Sequence, residues 1–237
     1  MDNRKLIIVF GGSGDVGQAI IRNLNNLPNH NFGIVSTFSK EGLCSQTVEQ
    51  VRYNVSNQND ELKKYFGTKN ISHVFFCIGI ASKSYLIDMS LEEIQKFISI
   101  NALSFLNIYK SLFETFRKNK TRFIVISSTA AANNRAKYGA YSASKAILES
   151  LVKTLAKEEE QYGVTFNILQ PSVIDSKLAR QTVNMSGYKD FDDYVTNKLN
   201  NKILNLDQIA KVAVDYALNE KYSIVNGATI NDFGAFL

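Results

Sequence analysis

The chain has 237 residues, of which 45% are hydrophobic and 21% are charged, and its formal net charge is +5 at pH 7. These values are typical of a soluble globular protein and predict one domain with a substantial core. The lysines and arginines form no dense block, so the mild basic excess predicts no nucleic-acid site.

Cysteines and apolar runs restrict the class of protein further. Cys44 and Cys77 are too few for a disulfide framework and lack metal-ligand spacing, which favours a reducing cytoplasm. No apolar run approaches the ~18 residues of a membrane span. The first strand begins within a few residues of Met1, so we expect no signal peptide. His30 and His73 form no metal constellation, and we predict neither a metal site nor membrane attachment.

The N-terminal segment combines a strand, a glycine-rich turn and a helix. Residues 5–10 are apolar and predict a buried parallel strand, and residues 16–27 have helical spacing. Between them lies Gly11-Gly12-Ser13-Gly14-Asp15-Val16-Gly17. Glycines let the backbone approach a pyrophosphate, and the helix N-terminus offers free N–H groups, so this order predicts phosphate binding. Asp15 would repel a pyrophosphate, so we expect its carboxylate to point away and cap the helix, with Gly14 supplying flexibility.

A second strand is predicted at residues 32–35, and Thr37, Ser39 and Lys40 follow it. An acidic residue at such a strand end would bind the ribose hydroxyls of NAD. None occurs before Glu41, whereas hydroxyls and Lys40 could receive a 2′-phosphate. We therefore favour NADP(H) over NAD(H). The alternative is that Lys40 is only solvated and that Glu41 binds the ribose.

The middle of the chain predicts strands at 51–55 and 71–79, a short helix at 60–66 between them, and a long helix at 91–116. Asn101 lies inside the long helix, where asparagine is mildly unfavourable because its side chain competes for backbone hydrogen bonds. The Asn101 side chain either points into the protein, where it requires a structural or functional reason, or is exposed to solvent. The apolar positions at helical spacing are Ile94, Phe97, Ile98, Leu103, Leu106 and Phe113.

A fifth strand is predicted at residues 121–127, and it opens into Ser128. The following helix carries Tyr141 and Lys145, which lie one turn apart on one face. An ammonium beside a phenol favours the phenolate, so we expect Lys145 to lower the pKa of Tyr141. A tyrosine tuned in this way can give a proton to a carbonyl oxygen or take one from an alcohol.

The C-terminal part predicts a sixth strand at 164–169, which ends at Pro171, and a seventh at 222–230. Residues 175–201 are polar, aromatic and poorly patterned, and we interpret them as a mobile substrate lid. A helix is expected from Asp207 to Leu218, with Asp207 as its N-cap. Seven strands that alternate with helices predict an α/β, Rossmann-like, doubly wound parallel sheet with helices on both faces, in one domain over residues 1–237.

The order of glycine loop, Asn101, Ser128 and Tyr141-x-x-x-Lys145 resembles the short-chain dehydrogenase/reductase family, in particular its 3-oxoacyl-(acyl-carrier-protein) reductases. The resemblance extends over essentially the whole chain from Leu6. It implies an NAD(P)H-dependent oxidoreductase that interconverts a ketone and a secondary alcohol.

The resemblance also implies the role of each catalytic residue. Ser128 would hold the carbonyl oxygen and Tyr141 would protonate it. Lys145 would tune the tyrosine and bind the nicotinamide ribose. Asn101 would distort its helix and free a carbonyl that holds a water beneath Lys145.

Further expectations concern the cofactor and partners. Asn54 and Val55 would bracket the adenine, and Pro171 and Ile174 would cover the nicotinamide. The full set of predicted cofactor contacts is Gly11, Ser13, Gly14, Asp15, Val16, Gly17, Thr37, Ser39, Lys40, Asn54, Val55, Gly79, Tyr141, Lys145, Pro171 and Ile174. A homodimer or homotetramer is expected, acting on a small or carrier-bound carbonyl compound.

The chain departs from the family pattern at three places. Asp15 replaces the middle glycine of the loop, Phe76-Cys77-Ile78 replaces Asn-Asn-Ala, and Ser172 replaces glycine. These departures leave two alternatives open: a non-catalytic or regulatory dinucleotide-binding protein, and a sugar-nucleotide-modifying enzyme on the same scaffold. The sequence does not identify the substrate.

Overall fold

The structure is a computed structural model that describes residues 4–28, 30–39, 48–54, 60–183, 187–199 and 203–231. Its strands are β1 Lys5–Phe10, β2 Phe32–Phe38, β3 Glu49–Arg52, β4 Ile71–Phe76, β5 Arg122–Ile126, β6 Thr165–Leu169 and β7 Thr229–Ile230. Its helices are α1 Asp15–Asn25, α2 Asp60–Phe66, α3 Leu91–Ile98, α4 Ser104–Asn119, α5 Gly139–Glu158, α6 Lys177–Val183, α7 Phe191–Leu199 and α8 Leu206–Leu218.

The strands of the described residues form one parallel seven-stranded sheet in the order β3-β2-β1-β4-β5-β6-β7. The order reverses direction between β1 and β4. In doubly wound sheets the carboxyl ends of the strands at such a switch point form the ligand crevice. The predicted fold class is therefore confirmed.

The sheet is covered by helices on both faces because side chains alternate along each strand. Ile8 and Phe10 of β1 lie in one core cluster, which α2, α4 and α5 cover. Ile7 and Val9 lie in the other, which α1 and α8 cover. All four side chains are fully buried. This arrangement explains why β1 is a continuous apolar run rather than an alternating one.

The long helix predicted at 91–116 is interrupted. Residues Ser99–Leu103 form a π-helical turn between α3 and α4, and Asn101 lies in it. The helix distortion expected at Asn101 is therefore confirmed. A π turn changes the phase of the helix, since it contains more residues than an α turn. For this reason Leu103 and Phe113, predicted to face inward, are 40% and 37% exposed.

The end of the chain differs from the prediction in two ways. The seventh strand is only Thr229–Ile230. Just before it, a side chain takes part in the pairing with β6: Asn226 Oδ1 accepts from the backbone N–H of Phe166 at 3.0 Å. The N-cap of α8 is Asn205, not Asp207. The side chain of Asn205 accepts from the Gln208 N–H at 2.8 Å, and the Gln208 side chain accepts from the Asn205 N–H at 3.0 Å.

The segment predicted as an unpatterned lid is largely helical where the structure describes it. It contains α6 and α7. Arg180 fixes the start of α6 through two hydrogen bonds to the carboxylate of Asp175, at 2.7 and 2.8 Å, and its guanidinium lies over the ring of Phe191 in α7. These helices are held by an ion pair and an aromatic contact and not by a row of apolar residues, so the spacing of apolar residues did not predict them.

None of the described helices is long and apolar enough to cross a membrane. The described residues also hold no cluster of histidine, cysteine, aspartate and glutamate suited to a metal ion. His73 lies on the central strand β4, where burial lowers its pKa to about 4.

Candidate active site

A cavity of about 440 Å³ opens at the carboxyl ends of β1, β4, β5 and β6, with α6 along one side. It lies at the switch point of the sheet, where doubly wound folds bind their ligands. The predicted residues that line it are Ser13, Gly14, Asp15, Val16, Gly79, Ser128, Tyr141, Lys145, Pro171 and Ile174. The structure thus brings the glycine loop and three of the four predicted catalytic residues to one place.

The glycine loop packs so tightly that two of its glycines are required. Gly11 has a φ of +79°, and a Cβ there would lie 3.0 Å from the Cys77 carbonyl carbon and the Ile78 nitrogen. A Cβ on Gly17 would lie 2.4 Å from the Gly11 oxygen. Gly14 has an ordinary φ of −76°, so it does not supply the flexibility predicted for it. The loop is a tight cradle at the N-terminus of α1, which fits a pyrophosphate.

Asp15 is the first residue of α1 and its carboxylate does not cap the helix. Its Oδ2 atom instead accepts a hydrogen bond of 2.6 Å from the backbone N–H of Lys177, at the start of α6. The predicted capping role is therefore wrong. The carboxylate is thus engaged by the start of α6, on one side of the cavity.

Lys145 is buried, with 4% of its surface exposed, and its Nζ atom donates to the carbonyl oxygen of Ile126 at 2.9 Å. Burial lowers the pKa of Lys145 to about 8. Burial also raises the pKa of Tyr141, and a side-chain hydrogen bond with Ser128 opposes that rise. The predicted lowering of the Tyr141 pKa is therefore wrong for this structure, because desolvation of the phenol outweighs the opposing interaction with Ser128.

Asn101 is fully buried and connects two parts of the site. Its Oδ1 atom accepts from the Ile80 N–H at 2.8 Å, and its Nδ2 atom donates to the Ile80 carbonyl at 2.9 Å. Nδ2 also donates to Ser144 Oγ at 2.9 Å, which in turn donates to the Tyr141 carbonyl at 2.7 Å. Asn101 therefore holds the segment after Gly79 against the helix that carries Tyr141. It does not line the cavity itself.

The residues predicted to contact the adenosine half of the cofactor differ in where the structure places them. Thr37 is buried, and its Oγ1 atom accepts from the Gly11 N–H at 3.1 Å, so it braces the glycine loop instead of facing a 2′-phosphate. Ser39 and Asn54 are exposed and do not line the cavity. Lys40 and Val55 lie outside the described residues.

Several residues of the site were missed from the sequence. A Cβ on Gly12 would lie 2.1 Å from Ser36 Oγ, so this glycine is also required. Arg135, Tyr138, Lys177 and Gln181 line the cavity. Only their position in the sequence could have indicated them. They lie between the catalytic motifs or within residues 175–201, and they belong to no motif.

The comparisons with known proteins agree with this geometry. A family model described as enoyl-(acyl carrier protein) reductase matches residues 49–234. The chain belongs to the short-chain dehydrogenase/reductase family. Its relatives include a 3-oxoacyl-[acyl-carrier-protein] reductase of Buchnera aphidicola subsp. Baizongia pistaciae, 24% identical over 240 residues, which cover 96% of this chain and 95% of that protein.

A second reductase of the same name, from Buchnera aphidicola subsp. Schizaphis graminum, is 34% identical over 155 residues, which cover 65% of this chain and 61% of that protein. Among solved structures, ligand-free aldohexose dehydrogenase of Thermoplasma acidophilum has a TM-score of 0.82 at 20% identity, over 96% of this chain and 92% of that one. The chain is thus an NAD(P)-dependent oxidoreductase of the type that acts on alcohol and carbonyl groups.

Proposed function

We propose that this chain reduces a ketone to a secondary alcohol with NADPH, and that Ser128, Tyr141, Lys145 and Asn101 form its catalytic site. The observation that carries the proposal is that the Ser128 and Tyr141 side chains both line the cavity and interact with each other there. Two hydroxyls that meet there can both reach one carbonyl oxygen. That is the arrangement needed to stabilise and protonate an oxygen on which negative charge develops.

The residues present fit a nicotinamide dinucleotide, since Gly11 and Gly17 form a cradle that a Cβ would fill. When bound, NADPH supplies the hydride. Ser128 holds the substrate oxygen and Tyr141 gives it a proton. Because burial raises the pKa of Tyr141, the phenol is protonated at neutral pH, which suits reduction better than oxidation. Lys145 binds the ribose hydroxyls, and Asn101 supports the water that resupplies the proton.

The preference for NADPH follows from the end of β2. Residues 32–39 contain no acidic side chain that could bind the ribose hydroxyls, and Ser39 is exposed at the strand end. Lys40 follows directly in the sequence. With Thr37 turned to the glycine loop, these two residues are the ones that we propose for the 2′-phosphate.

The proposed substrate is a carbonyl compound with an anionic group or an acidic carrier. Arg135 and Lys177 line the cavity, Lys137 adjoins the lining residue Tyr138 in sequence, and Lys83 lies two residues after the lining residue Ala81. The segments that carry Lys83 and Lys137 are in contact, since the Ser84 N–H donates to the Lys137 carbonyl at 2.9 Å, and the charge of Lys137 adds to burial in lowering the pKa of Lys83. A basic rim attracts phosphate and acidic protein surfaces. A β-ketoacyl thioester on a carrier protein fits it, as the names of the Buchnera relatives suggest.

We also propose a homodimer or homotetramer. The apolar side chains of Leu103 and Phe113 are exposed on the outer face of the interrupted helix, and a second copy of the chain would cover them. Light scattering coupled to size exclusion measures the mass directly. A monomer would contradict this part of the proposal.

A second candidate is reduction of a carbon–carbon double bond conjugated to a carbonyl. The matching family model is described as an enoyl reductase, and Tyr138 brings a second phenol to the same cavity. A phenol that protonates an enolate oxygen would serve this reaction as well.

The decisive experiment has two stages. Fluorescence titration with NADPH and, separately, NADH measures both affinities, and tighter binding of NADPH is expected. Turnover is then measured with a β-ketoacyl thioester and the matching enoyl thioester. Faster reduction of the ketone, abolished in Tyr141→Phe and retained in Tyr138→Phe, supports the first candidate. Faster reduction of the enoyl substrate, with loss in Tyr138→Phe, supports the second.

A further inference from the structure

Glu149 is a buried carboxylate that none of the proposed catalytic roles uses. It is 6% exposed and lies on α5 one turn beyond Lys145. Its Oε1 atom accepts two hydrogen bonds of 2.6 Å, from Ser127 Oγ and from Gln170 Nε2. Buried carboxylates are uncommon unless they are paired, so this one requires an explanation.

The partners of Glu149 place it at the centre of the site's framework. Ser127 precedes Ser128 at the end of β5, and Gln170 precedes Pro171 at the end of β6. One oxygen atom therefore fastens two neighbouring strand ends to α5 at the point where each enters the cavity. A shift of either strand end would move the hydroxyl of Ser128 relative to that of Tyr141.

The end of β5 and one face of α5 contact each other in a regular series. The Ser128 side chain interacts with that of Tyr141, the Ile126 carbonyl accepts from Lys145, and Ser127 donates to Glu149. The three α5 residues are spaced by four and so share one face of the helix. Glu149 is the third member of this series, beside the two that bear the proposed chemistry.

The charge of Glu149 acts on Lys145 as well. Among the described residues, the titratable groups that act on Lys145 are Cys77 from the end of β4 and Glu149 on its own helix, and Tyr141 lies one turn before Lys145 on that helix. The end of β5 presents the Ile126 carbonyl, and the π turn presents the neutral amide of Asn101. Burial favours the neutral amine, and Cys77 and the carboxylate of Glu149 oppose that effect. On its other side Glu149 pairs with Lys153, whose Nζ lies 3.5 Å from Oε2.

We propose that Glu149 is a positioning residue that fixes the ends of β5 and β6 against α5 and keeps Lys145 positively charged inside the cavity. The proposal rests on the ketoreductase function proposed above. A charged Lys145, one helical turn from Tyr141, would attract the negative charge that forms on the phenol oxygen as it gives up its proton, so the loss of Glu149 should shift the pH at which ketone reduction fails.

The test is the pH profile of kcat for ketone reduction in Glu149→Gln, with Glu158→Gln as the matched control. Glu158 is exposed on the same helix, so its variant makes the same charge change away from the site. The alkaline limb of the profile should move down by about one pH unit in Glu149→Gln, because the variant lacks the carboxylate that favours the charged form of Lys145. The control should match the wild type. If the alkaline limb of the kcat profile lies at the same pH in the wild type and in both variants, the proposal is overturned.

Two further measurements cover failures of that test. If Glu149→Gln does not fold, Lys153→Gln removes the cation that competes for Glu149, and its alkaline limb should move up; an unchanged limb would overturn the proposal. If the wild type reduces no ketone, the proposed function fails. The titration of Lys145 is then followed by NMR of protein with ¹³C-labelled lysine, with Lys145→Met to assign the signal. A lower midpoint in Glu149→Gln supports the positioning role, and an equal midpoint overturns it.

Discussion

The carboxylate of Asp15 accepts a hydrogen bond of 2.6 Å from the backbone N–H of Lys177, although the two residues are 162 positions apart in the chain. The contact joins the glycine loop to the first turn of α6 across the mouth of the cavity. Asp15, which stands where the family has a glycine, thus fastens the start of α6 to the glycine loop.

Removing this acceptor should loosen the start of α6. In Asp15→Ala we expect the Lys177 amide to exchange its hydrogen about tenfold faster, because a hydrogen bond to a charged acceptor contributes about 1.5–3 kcal/mol. Hydrogen exchange followed by mass spectrometry measures the effect. Asp15→Asn keeps an acceptor and should change less. If the Lys177 amide exchanges its hydrogen equally fast in Asp15→Ala and in the wild type, the contact does not hold the start of α6.

The two glycines of the loop should respond differently to the same substitution. A Cβ on Gly17 would lie 2.4 Å from a backbone oxygen, whereas one on Gly14 would meet its nearest atom at 3.4 Å. Gly17→Ala should therefore lose about 1–3 kcal/mol of stability and most of its NADPH affinity. Gly14→Ala should retain both. Thermal unfolding and cofactor titration of the two variants measure the difference, and similar losses in both would contradict the packing described for the loop.

The direction of the reaction should depend on pH. Burial raises the pKa of Tyr141, so the phenol keeps its proton at neutral pH. Oxidation of the alcohol requires the deprotonated phenol as a base, so its rate should rise as pH increases above neutrality. Initial rates of NADP-dependent alcohol oxidation between neutral and alkaline pH measure this. A rate that is already maximal at neutral pH would indicate a lowered pKa instead.

His73 should make the fold sensitive to acid. Burial is the main cause that lowers its pKa from 6.5 to about 4 in the folded chain, with a smaller contribution from Arg122. The unfolded chain thus binds a proton that the folded chain does not, and stability is lost as pH falls from about 6.5 to about 4. Urea unfolding across this window should show a smaller loss in His73→Gln than in the wild type. If the free energy of unfolding falls equally with pH in both proteins, groups other than His73 cause the acid sensitivity.

Much of this site could be predicted because its parts are local. The strand–glycine–helix order placed the loop, and the four-residue spacing placed Tyr141 and Lys145 on one helix face. The distortion at Asn101 was expected from the family resemblance. What could not be predicted depends on contacts distant in sequence. Thr37 turns toward Gly11, Asp15 reaches Lys177, and burial raises the pKa of Tyr141.

Competition between similar residues explains other errors. Asn205 and Asp207 are both good N-caps, and the reciprocal bond with Gln208 selects Asn205. Leu103 was predicted inward from a continuous helical period, and the π turn moved it to the surface. Contacts between residues that are distant in the sequence decide between such alternatives, so the local sequence pattern does not predict the outcome.

The most direct test of the account compares ketone-dependent oxidation of NADPH in the wild type and in Tyr141→Phe, with NADPH affinity measured on both proteins. We expect the variant to lose turnover by about 100-fold or more while its affinity for NADPH stays nearly unchanged, because the phenol supplies the proton and the glycine loop supplies most of the binding. A variant that retains most of its turnover would contradict the assignment of Tyr141 as the proton donor.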